Sequence, residues 1–252
     1  LMGLPRREQE VRLRRSWSEI RDWTGTAPFG LRPPEEVFDA NTLDAWAEAG
    51  GSYVLAVNQA RSGSPEIHRV DRGEIVLLPR LIKDDYNVFV QEGAFRTDRL
   101  TSAFLEGTGK MRVMGGLAVV AVHTQIIGAG RRLEAIRAVV STARTQGDWW
   151  IAEAGEVADW WVQRDDVRVS FMQSEETPVS STTSVAGEMA TDTAGPAPRR
   201  FPVVRVEAPE GAGIAGLWVD VVLPLAADSL APYVDGVPVS YSTTEWGLRV
   251  PI

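Results

Sequence analysis

Two short stretches of the sequence carry side chains that could do chemistry at a fixed place in a fold. Residues 30–34, GLRPP, set Arg32 before two prolines, and residues 117–123, LAVVAVH, end an apolar run in a histidine. Each proline ring holds φ near roughly −65° and removes an amide donor, so the loop is stiff and presents the arginine in one direction. An imidazole at the end of a strand that is apolar on both faces lies where parallel sheets hold catalytic groups. The two stretches therefore predict an active site.

The composition excludes several classes of function. The chain of 252 residues has a net charge of −8, which argues against a nucleic-acid partner, because phosphate binding needs clustered Lys and Arg. The absence of cysteine excludes disulfides, cysteine-held zinc and thiol catalysis. No apolar run reaches the ~18 residues of a membrane-spanning helix, and no signal peptide is evident. Since the chain opens on Leu1 and closes on the strand-like residues 247–252, we expect an internal segment of a longer protein.

Helix and strand patterns alternate over the first part of the chain, which is typical of a parallel α/β sheet. Predicted helices span residues 5–23, 131–145 and 153–164, with another between Asn41 as N-cap and Gly50; predicted strands span residues 53–57, 74–79, 117–123 and 149–152. After Asp166, a strand at residues 167–171 precedes a Ser- and Thr-rich stretch and then short strands separated by Gly and Pro. We therefore predict three parts: an α/β domain over residues 1–165, a strand plus a Ser/Thr-rich linker over 166–202, and an incomplete β-rich accessory module over 203–252.

The motifs of the first part resemble those of a known family. GLRPP at residues 30–34, VAVHTQ at residues 120–125 and GEVADWW at residues 155–161 are similar to motifs of the polysaccharide deacetylases of the NodB-homology group, a type of carbohydrate esterase. The likeness covers residues 5–164 and implies the C-terminal part of the catalytic domain. The fold it implies is a partial, distorted (β/α) barrel of NodB type, which we expect to be followed by a small, incomplete β-sandwich.

The resemblance also implies an activity and a cofactor. The family hydrolyses N- or O-acetyl groups on polysaccharides or peptidoglycan-like glycans, so we expect a hydrolase of carbon–nitrogen bonds other than peptide bonds, with an acetylated glycan as substrate. Family members bind a divalent metal, commonly zinc, through one Asp and two His. This chain contains only His68 and His123, and an open catalytic zinc site usually needs three protein ligands. We therefore expect the metal ligands to precede Leu1, no metal site in this segment, and no activity of the segment alone.

Individual site residues follow from the same resemblance. His123 occupies the position of the general acid that protonates the leaving group, and Arg32 that of the arginine which orients the catalytic-base aspartate. Pro33 and Pro34 would hold this loop. The backbone amide of Glu35 falls where the family places an oxyanion donor, although the usual residue there is aromatic.

A few residues depart from the family pattern or could contact substrate. Asn58 and Gln59 stand where the family tends to place the aspartate that holds the acid histidine, so the partner role could pass to another residue such as Asp84. Asp84 and Trp150 are candidate substrate contacts, since flat apolar rings suit sugar faces. Packing in the core or its rim is the more common use of tryptophan, and we favour it for residues 149, 150, 160 and 161. His68, in a polar region, is expected on the surface.

Other functions remain open on the sequence. A non-catalytic glycan-binding or cell-envelope protein with a degenerate deacetylase fold is the main alternative, because Glu35 and Asn58 weaken the match. The adjacent acids Glu35–Glu36 and Asp84–Asp85 could suggest a glycosidase, but such pairs are usually solvated loop charges. In either reading we expect an extracellular or cell-envelope location.

Overall fold

The structure of the protein is a computed structural model, which describes residues 1–56, 63–71, 73–176, 199–207, 218–222, 233–234, 237–238, 242–244 and 247–251. The chain divides into two compact units, Leu1–Val162 and Gln163–Ile252. The candidate site lies in the first unit.

The first unit is built on a four-stranded sheet with the order β1-β2-β4-β3. Strands β1, β2 and β4 run parallel to one another, and β3 is antiparallel to β4. Their bounds are Gly30–Leu31 for β1, Tyr53–Ala56 for β2, Glu66–Val70 for β3 and Gly73–Pro79 for β4. Because the carboxyl ends of parallel strands meet at one edge, the chain that follows β1, β2 and β4 gathers on one side of the sheet.

The described residues form six α-helices, together with a 3-10 turn at Pro34–Glu36 and a π-helix at Asn87–Gln91. They are α1 (Arg6–Thr24), α2 (Ala40–Glu48), α3 (Thr97–Met114), α4 (Thr124–Ile127), α5 (Leu133–Gln146) and α6 (Ala154–Asp165). Helix α2 begins at the N-cap Asp39. The Asp39 carboxylate accepts a hydrogen bond from the backbone amide of Thr42, and the Thr42 side chain accepts one from the Asp39 amide, which completes a capping box. The predicted N-cap Asn41 is therefore wrong by two positions, since the side chain that reaches the first turn belongs to Asp39.

The sheet is covered on both faces, as a parallel sheet requires. Ile75 of β4 packs with α1 and α2, while its neighbours Val76 and Leu78 pack with Val157 and Ala158 of α6 on the other face. This alternation follows from the twofold side-chain period of a strand. A separate apolar cluster joins α3, the π-helix, α4 and α5 around Phe104, beside the sheet.

Two predicted strands are wrong. Within the described residues 73–176, residues 117–123 and 149–152 carry no ladder hydrogen bonds and form no strand. In the first run, only Ala121 is fully buried. An apolar run indicates burial, but a strand also needs a neighbour in register, which the sequence does not show. Helix α3 was not predicted at all, because Gly107, Gly109 and its Thr residues weaken the helical pattern.

The second unit is rich in strands. β5 (Arg168–Glu176) pairs antiparallel with β6 (Arg199–Glu207), and a three-stranded sheet has the order β10-β11-β7. Its strands are β7 (Trp218–Val222), β10 (Ser242–Thr244) and β11 (Gly247–Pro251), with a further pair β8 (Tyr233–Val234) and β9 (Val237–Pro238). The described strands do not establish the predicted β-sandwich, and residues 177–198 of the predicted linker lie outside the described residues. No helix in the described part of the chain is both long and apolar enough to cross a membrane.

Candidate active site

The central feature of the site is a histidine held by a buried carboxylate. The ring Nδ1 of His123 lies 2.7 Å from Oδ1 of Asp85, and the backbone N–H of His123 donates to both oxygens of the same carboxylate, at 3.1 and 2.9 Å. Asp85 is fully buried, whereas the His123 side chain is 34% exposed. An ionised carboxylate only accepts hydrogen bonds, so Nδ1 is the donor when Asp85 is ionised, and Nε2 is the ring nitrogen that Asp85 does not use.

The local chain explains why these two residues meet. Asp85 follows the end of β4 by a short segment, where the chain turns into the π-helix. His123 ends residues 117–123 and acts as the N-cap position of α4. Tyr86, next to Asp85, places its ring centroid 5.9 Å from that of His123, at a tilt of 52°. Both groups therefore lie at the carboxyl-end side of the sheet, where α/β folds hold their sites.

A network of ion pairs extends from the Arg-Pro-Pro loop to Asp84, the residue before Asp85. Arg32 Nη2 donates to Oε1 of Glu36 at 2.7 Å. The same carboxylate receives a two-pronged hydrogen bond from Arg80, whose Nε lies 2.8 Å from Oε1 and whose Nη2 lies 2.9 Å from Oε2. Arg80 Nη2 is also 3.5 Å from Oδ2 of Asp84, the residue beside Asp85. The ion pairs thus run from Arg32 to Asp84, which is the sequence neighbour of the Asp85 that holds His123.

The charge state of Glu36 is set by two opposing effects. Burial by itself raises the pKa of Glu36, but hydrogen bonds and charges from Arg80, and then from Arg32, outweigh it and hold the pKa below its ordinary value of 4.5. The Glu36 side chain is only 11% exposed and that of Arg80 only 8%. The carboxylate is therefore ionised at neutral pH and forms a charge-assisted fork with Arg80.

The structure corrects the reading of the two aspartates. Asp84 and Asp85, predicted as solvated loop charges, are buried. Asp84 was considered as the partner of His123, but that partner is Asp85. Asp84 instead exchanges hydrogen bonds with Asn87, its Oδ1 accepting the Asn87 amide at 2.7 Å while its own amide donates to the Asn87 side chain. Asp85 rather than Asp84 meets His123 because the side chains of adjacent residues in a turn point in different directions.

Asp84, Asp85 and His123 also form the one group of described residues that could offer three ligand atoms to a metal, all within 4.8 Å of one another. Most of these ligand atoms already take part in other contacts. Both oxygens of Asp85 accept from His123, Nδ1 of His123 is used by Asp85, and the oxygens of Asp84 face the Asn87 amide and the guanidinium of Arg80. Each carboxylate oxygen keeps a second lone pair, and Nε2 of His123 is not used by Asp85. A divalent cation here would also meet the positive charge of Arg80, so the group fits a metal site poorly.

The remaining predicted residues are divided between two places. Pro33 is buried, whereas Pro34 and Glu35 are exposed at the turn that carries Arg32. Trp150 lies elsewhere: its side chain is 57% exposed, stacks at a tilt on Trp160 and lines an apolar cavity of about 600 Å³. The described lining of that cavity contains neither His123 nor Asp85. The alternative partners of His123, Asn58 and Gln59, lie outside the described residues.

Several residues of the site were not found from the sequence. Glu36 and Asp85 were weighed only as members of acidic pairs, and Arg80 and Tyr86 had no predicted role, although two acidic residues soon after a buried parallel strand are a usable signal. Arg80 carried no signal, because a single arginine after a strand is common. His68, expected on the surface, is exposed on β3.

Comparison with known proteins reaches the same fold. Neither a protein-family model nor a curated protein matches the sequence. A structure assigned as a polysaccharide deacetylase of Mycobacterium smegmatis has a TM-score of 0.59 at 21% identity, over 66% of this chain and 60% of that chain. A structure assigned as a polysaccharide deacetylase of Pseudomonas aeruginosa PAO1 has a TM-score of 0.53 at 15% sequence identity, over 63% of this chain and 54% of that chain. The Puue allantoinase has a TM-score of 0.53 at 16% sequence identity, over 63% of this chain and 54% of that chain.

These likenesses test the family resemblance at the level of fold. The chain spans between 54% and 60% of the length of these proteins, and its mixed helix-and-strand architecture has a partly open sheet. The resemblance drawn from the GLRPP, VAVHTQ and GEVADWW motifs is confirmed in that sense: the chain has part of the NodB-type deacetylase fold.

Proposed function

We propose that this chain is part of a hydrolase that removes N- or O-acetyl groups from a polysaccharide or peptidoglycan-like glycan, with His123 as the general acid. The observation that carries the proposal is the pairing of Nδ1 of His123 with the buried Asp85. In N-deacetylation, water adds to the acetyl carbonyl and loses a proton to a general base, which the family resemblance gives as an aspartate. Nε2 of His123 gives its proton to the amine nitrogen, and the carbon–nitrogen bond breaks. The products are acetate and the free amino sugar.

Asp85 supports this role in two ways. Its carboxylate fixes the direction of the imidazole, and its negative charge stabilises the imidazolium form that donates the proton. Tyr86 covers one side of the ring, so the exposed part of His123 is directed at one approach path. The substrate class comes from the proteins that share the fold, two of which are assigned as polysaccharide deacetylases.

The dependence on a divalent metal is also part of the proposal. Asp84, Asp85 and His123 fit such an ion poorly, so its ligands are to be sought elsewhere in the complete natural protein. For the same reason we propose that residues 1–252 alone lack the activity. An extracellular or cell-envelope location would suit a glycan substrate.

The acid role can be tested by changing the leaving group. In the complete natural protein, His123→Gln should lower kcat toward an N-acetylglucosamine oligomer by about 10²- to 10⁴-fold, the usual range for loss of a proton-transfer group. Hydrolysis of 4-nitrophenyl acetate should fall far less, because nitrophenolate leaves without a proton. His68→Gln, on the exposed face of β3, is the matched control. Equal losses on both substrates would rule out His123 as the acid.

A glycan-binding protein without catalysis is the second candidate. The observation that favours it is the salt bridge between Arg32 and Glu36, which engages the arginine expected to orient a catalytic base. Titration of the N-acetylglucosamine oligomer by calorimetry, in parallel with assay of released acetate, separates the two. Saturable binding without acetate release by the complete natural protein would support this candidate over the enzyme.

A further inference from the structure

The loop that carries Arg32 has an unusual backbone. Glu35 and Glu36 both have positive φ, 56° and 55°. The left-handed region is unfavourable for residues with a β-carbon, and two such residues in succession persist only when their surroundings hold them. The turn is closed by two backbone hydrogen bonds, from the Glu36 amide to the Pro33 carbonyl at 2.9 Å and from the Val37 amide to the Pro34 carbonyl at 3.2 Å. Its strained backbone also needs support from the side chains around it.

The side chain of Arg80 provides that stabilisation. Its Nε and Nη2 donate hydrogen bonds to the two carboxylate oxygens of Glu36, and its third nitrogen, Nη1, donates to the carbonyl of Ile82 at 2.9 Å. All three nitrogens of the planar guanidinium are thus hydrogen-bonded, and the side chains of Arg80 and Glu36 are nearly buried. A buried ion pair adds little net stability to the fold, because the cost of desolvation offsets the Coulomb energy. Its main effect here is to hold the Glu36 carboxylate in one orientation relative to the Arg80 fork.

That geometry determines where Arg32 lies. Arg32 donates to Oε1 of Glu36, the same oxygen that Nε of Arg80 holds. Moving Glu36 would therefore move Arg32. The same Nη2 that bonds Glu36 also lies 3.5 Å from Oδ2 of Asp84, next to the Asp85 that holds His123. Arg80 therefore contacts both the Arg-Pro-Pro loop, through Glu36, and the segment that carries Asp85, through Asp84.

We propose that Arg80 is a positioning residue of this site: by clamping Glu36 it keeps the strained turn in place and sets the direction of Arg32 relative to His123. Its role in a reaction rests on the function proposed above, whereas its role in holding the loop does not. Arg80 would not touch substrate. It acts through Glu36 and Arg32.

Hydrogen exchange on the full chain tests the clamp without any assay of activity. In Arg80→Met, the amides of Glu36 and Val37 should exchange about tenfold faster or more, since they report local opening of the turn. The Val76 amide, which bonds to Ser52 in the sheet, should exchange as in the parent chain. Arg96→Met is the matched control, because Arg96 makes the same two-pronged contact with Asp98 on the exposed surface.

A conservative variant separates positioning from general stability. Arg80→Lys keeps the charge but cannot form the fork, so it should also loosen the amides of Glu36 and Val37 while leaving that of Val76 unchanged. If Arg80→Met does not fold, Arg80→Lys and Glu36→Gln give the result instead. Unchanged exchange at residues 36 and 37, or an equal increase at Val76, would overturn the clamp.

A kinetic measurement then links the clamp to the proposed reaction. In the complete natural protein, Arg80→Lys should lower kcat on the N-acetylglucosamine oligomer by about 10²-fold, the cost of small misplacement in an active site, with little change in KM. A parent protein with no hydrolysis would defeat the proposed function but not the clamp. A parent protein with hydrolysis and an unchanged kcat in Arg80→Lys would defeat the positioning role.

Discussion

His123 and Asp85 are joined twice, through the ring and through the backbone. Asp85 accepts a hydrogen bond from Nδ1 and others from the main-chain N–H of His123. The backbone contact fixes the position of the His123 main chain, and the ring contact fixes the orientation of the imidazole. Because the Asp85 side chain is fully buried, water does not reach His123 to take over these hydrogen bonds if the carboxylate is removed. The pair behaves as one unit, and substitutions in it should not be additive.

The first prediction concerns that unit. Asp85→Asn should lower kcat on the N-acetylglucosamine oligomer by about 10²- to 10⁴-fold, because an amide neither stabilises the imidazolium nor favours the same tautomer. The double variant with His123→Gln should be little worse than either single variant, as measured by a double-mutant cycle on kcat/KM in the complete natural protein. Asp98→Asn, an exposed aspartate of α3, is the control. Fully additive losses would contradict the pairing.

The second prediction concerns pH and Glu36. The pKa of Glu36 is lowered in the folded state, so its stabilising contribution is complete above the ordinary value of 4.5 and is lost as the pH falls through the folded pKa. Glu36→Gln should therefore reduce the free energy of unfolding at pH 7, by up to ~3 kcal/mol for a broken buried pair.

This difference between parent and Glu36→Gln should shrink as the pH falls below 4.5. Urea unfolding at several pH values measures it. Glu35→Gln, at the adjacent exposed position, should show no such pH-dependent difference. A difference that grew in acid would have the wrong sign for a carboxylate stabilised in its ionised form.

The third prediction compares two glycines of α3. A β-carbon on Gly109 would meet no atom within 4 Å, so Gly109→Ala should stabilise the helix by ~0.5–1 kcal/mol. A β-carbon on Gly107 would lie 2.7 Å from Cγ2 of Ile82, in the core. Gly107→Ala should therefore destabilise the chain, since overpacking costs ~1–3 kcal/mol. Differential scanning calorimetry would show a higher Tm for the first variant and a lower one for the second. The reverse order would mean that α3 does not pack on Ile82.

The fourth prediction concerns metal. Residues 1–252 should bind no zinc tightly at a one-to-one ratio, because a zinc ion at Asp84, Asp85 and His123 would compete with their present hydrogen bonds and meet the positive charge of Arg80. Calorimetric titration with ZnCl₂ at neutral pH measures this. His123→Gln should give the same titration as the parent chain. One tight equivalent that disappears in His123→Gln would contradict the reading of this cluster.

Part of the fold was predictable because its signals are local. Helix α1, bounded by Pro5 and by Gly25 in the left-handed conformation, lies within one residue of the prediction at both ends. Strand β4 lies within one residue as well. Apolar residues that alternate or recur at helical spacing need only the chain itself to be recognised. The exceptions are residues 117–123 and 149–152, which are apolar enough for strands but join no strand ladder in the part of the chain that the structure describes.

The site divides in the same way. By itself the sequence determined that Arg32 sits on a stiff proline loop and that His123 ends an apolar run, because proline geometry and hydropathy belong to single stretches of chain. Only the tertiary structure decided that Asp85 rather than Asp84 holds the imidazole, and that Glu36 and Arg80 connect the proline loop to the segment that carries Asp85. A hydrogen bond depends on the direction of a side chain over a few ångströms, and that direction is set by the packing of residues far apart in sequence.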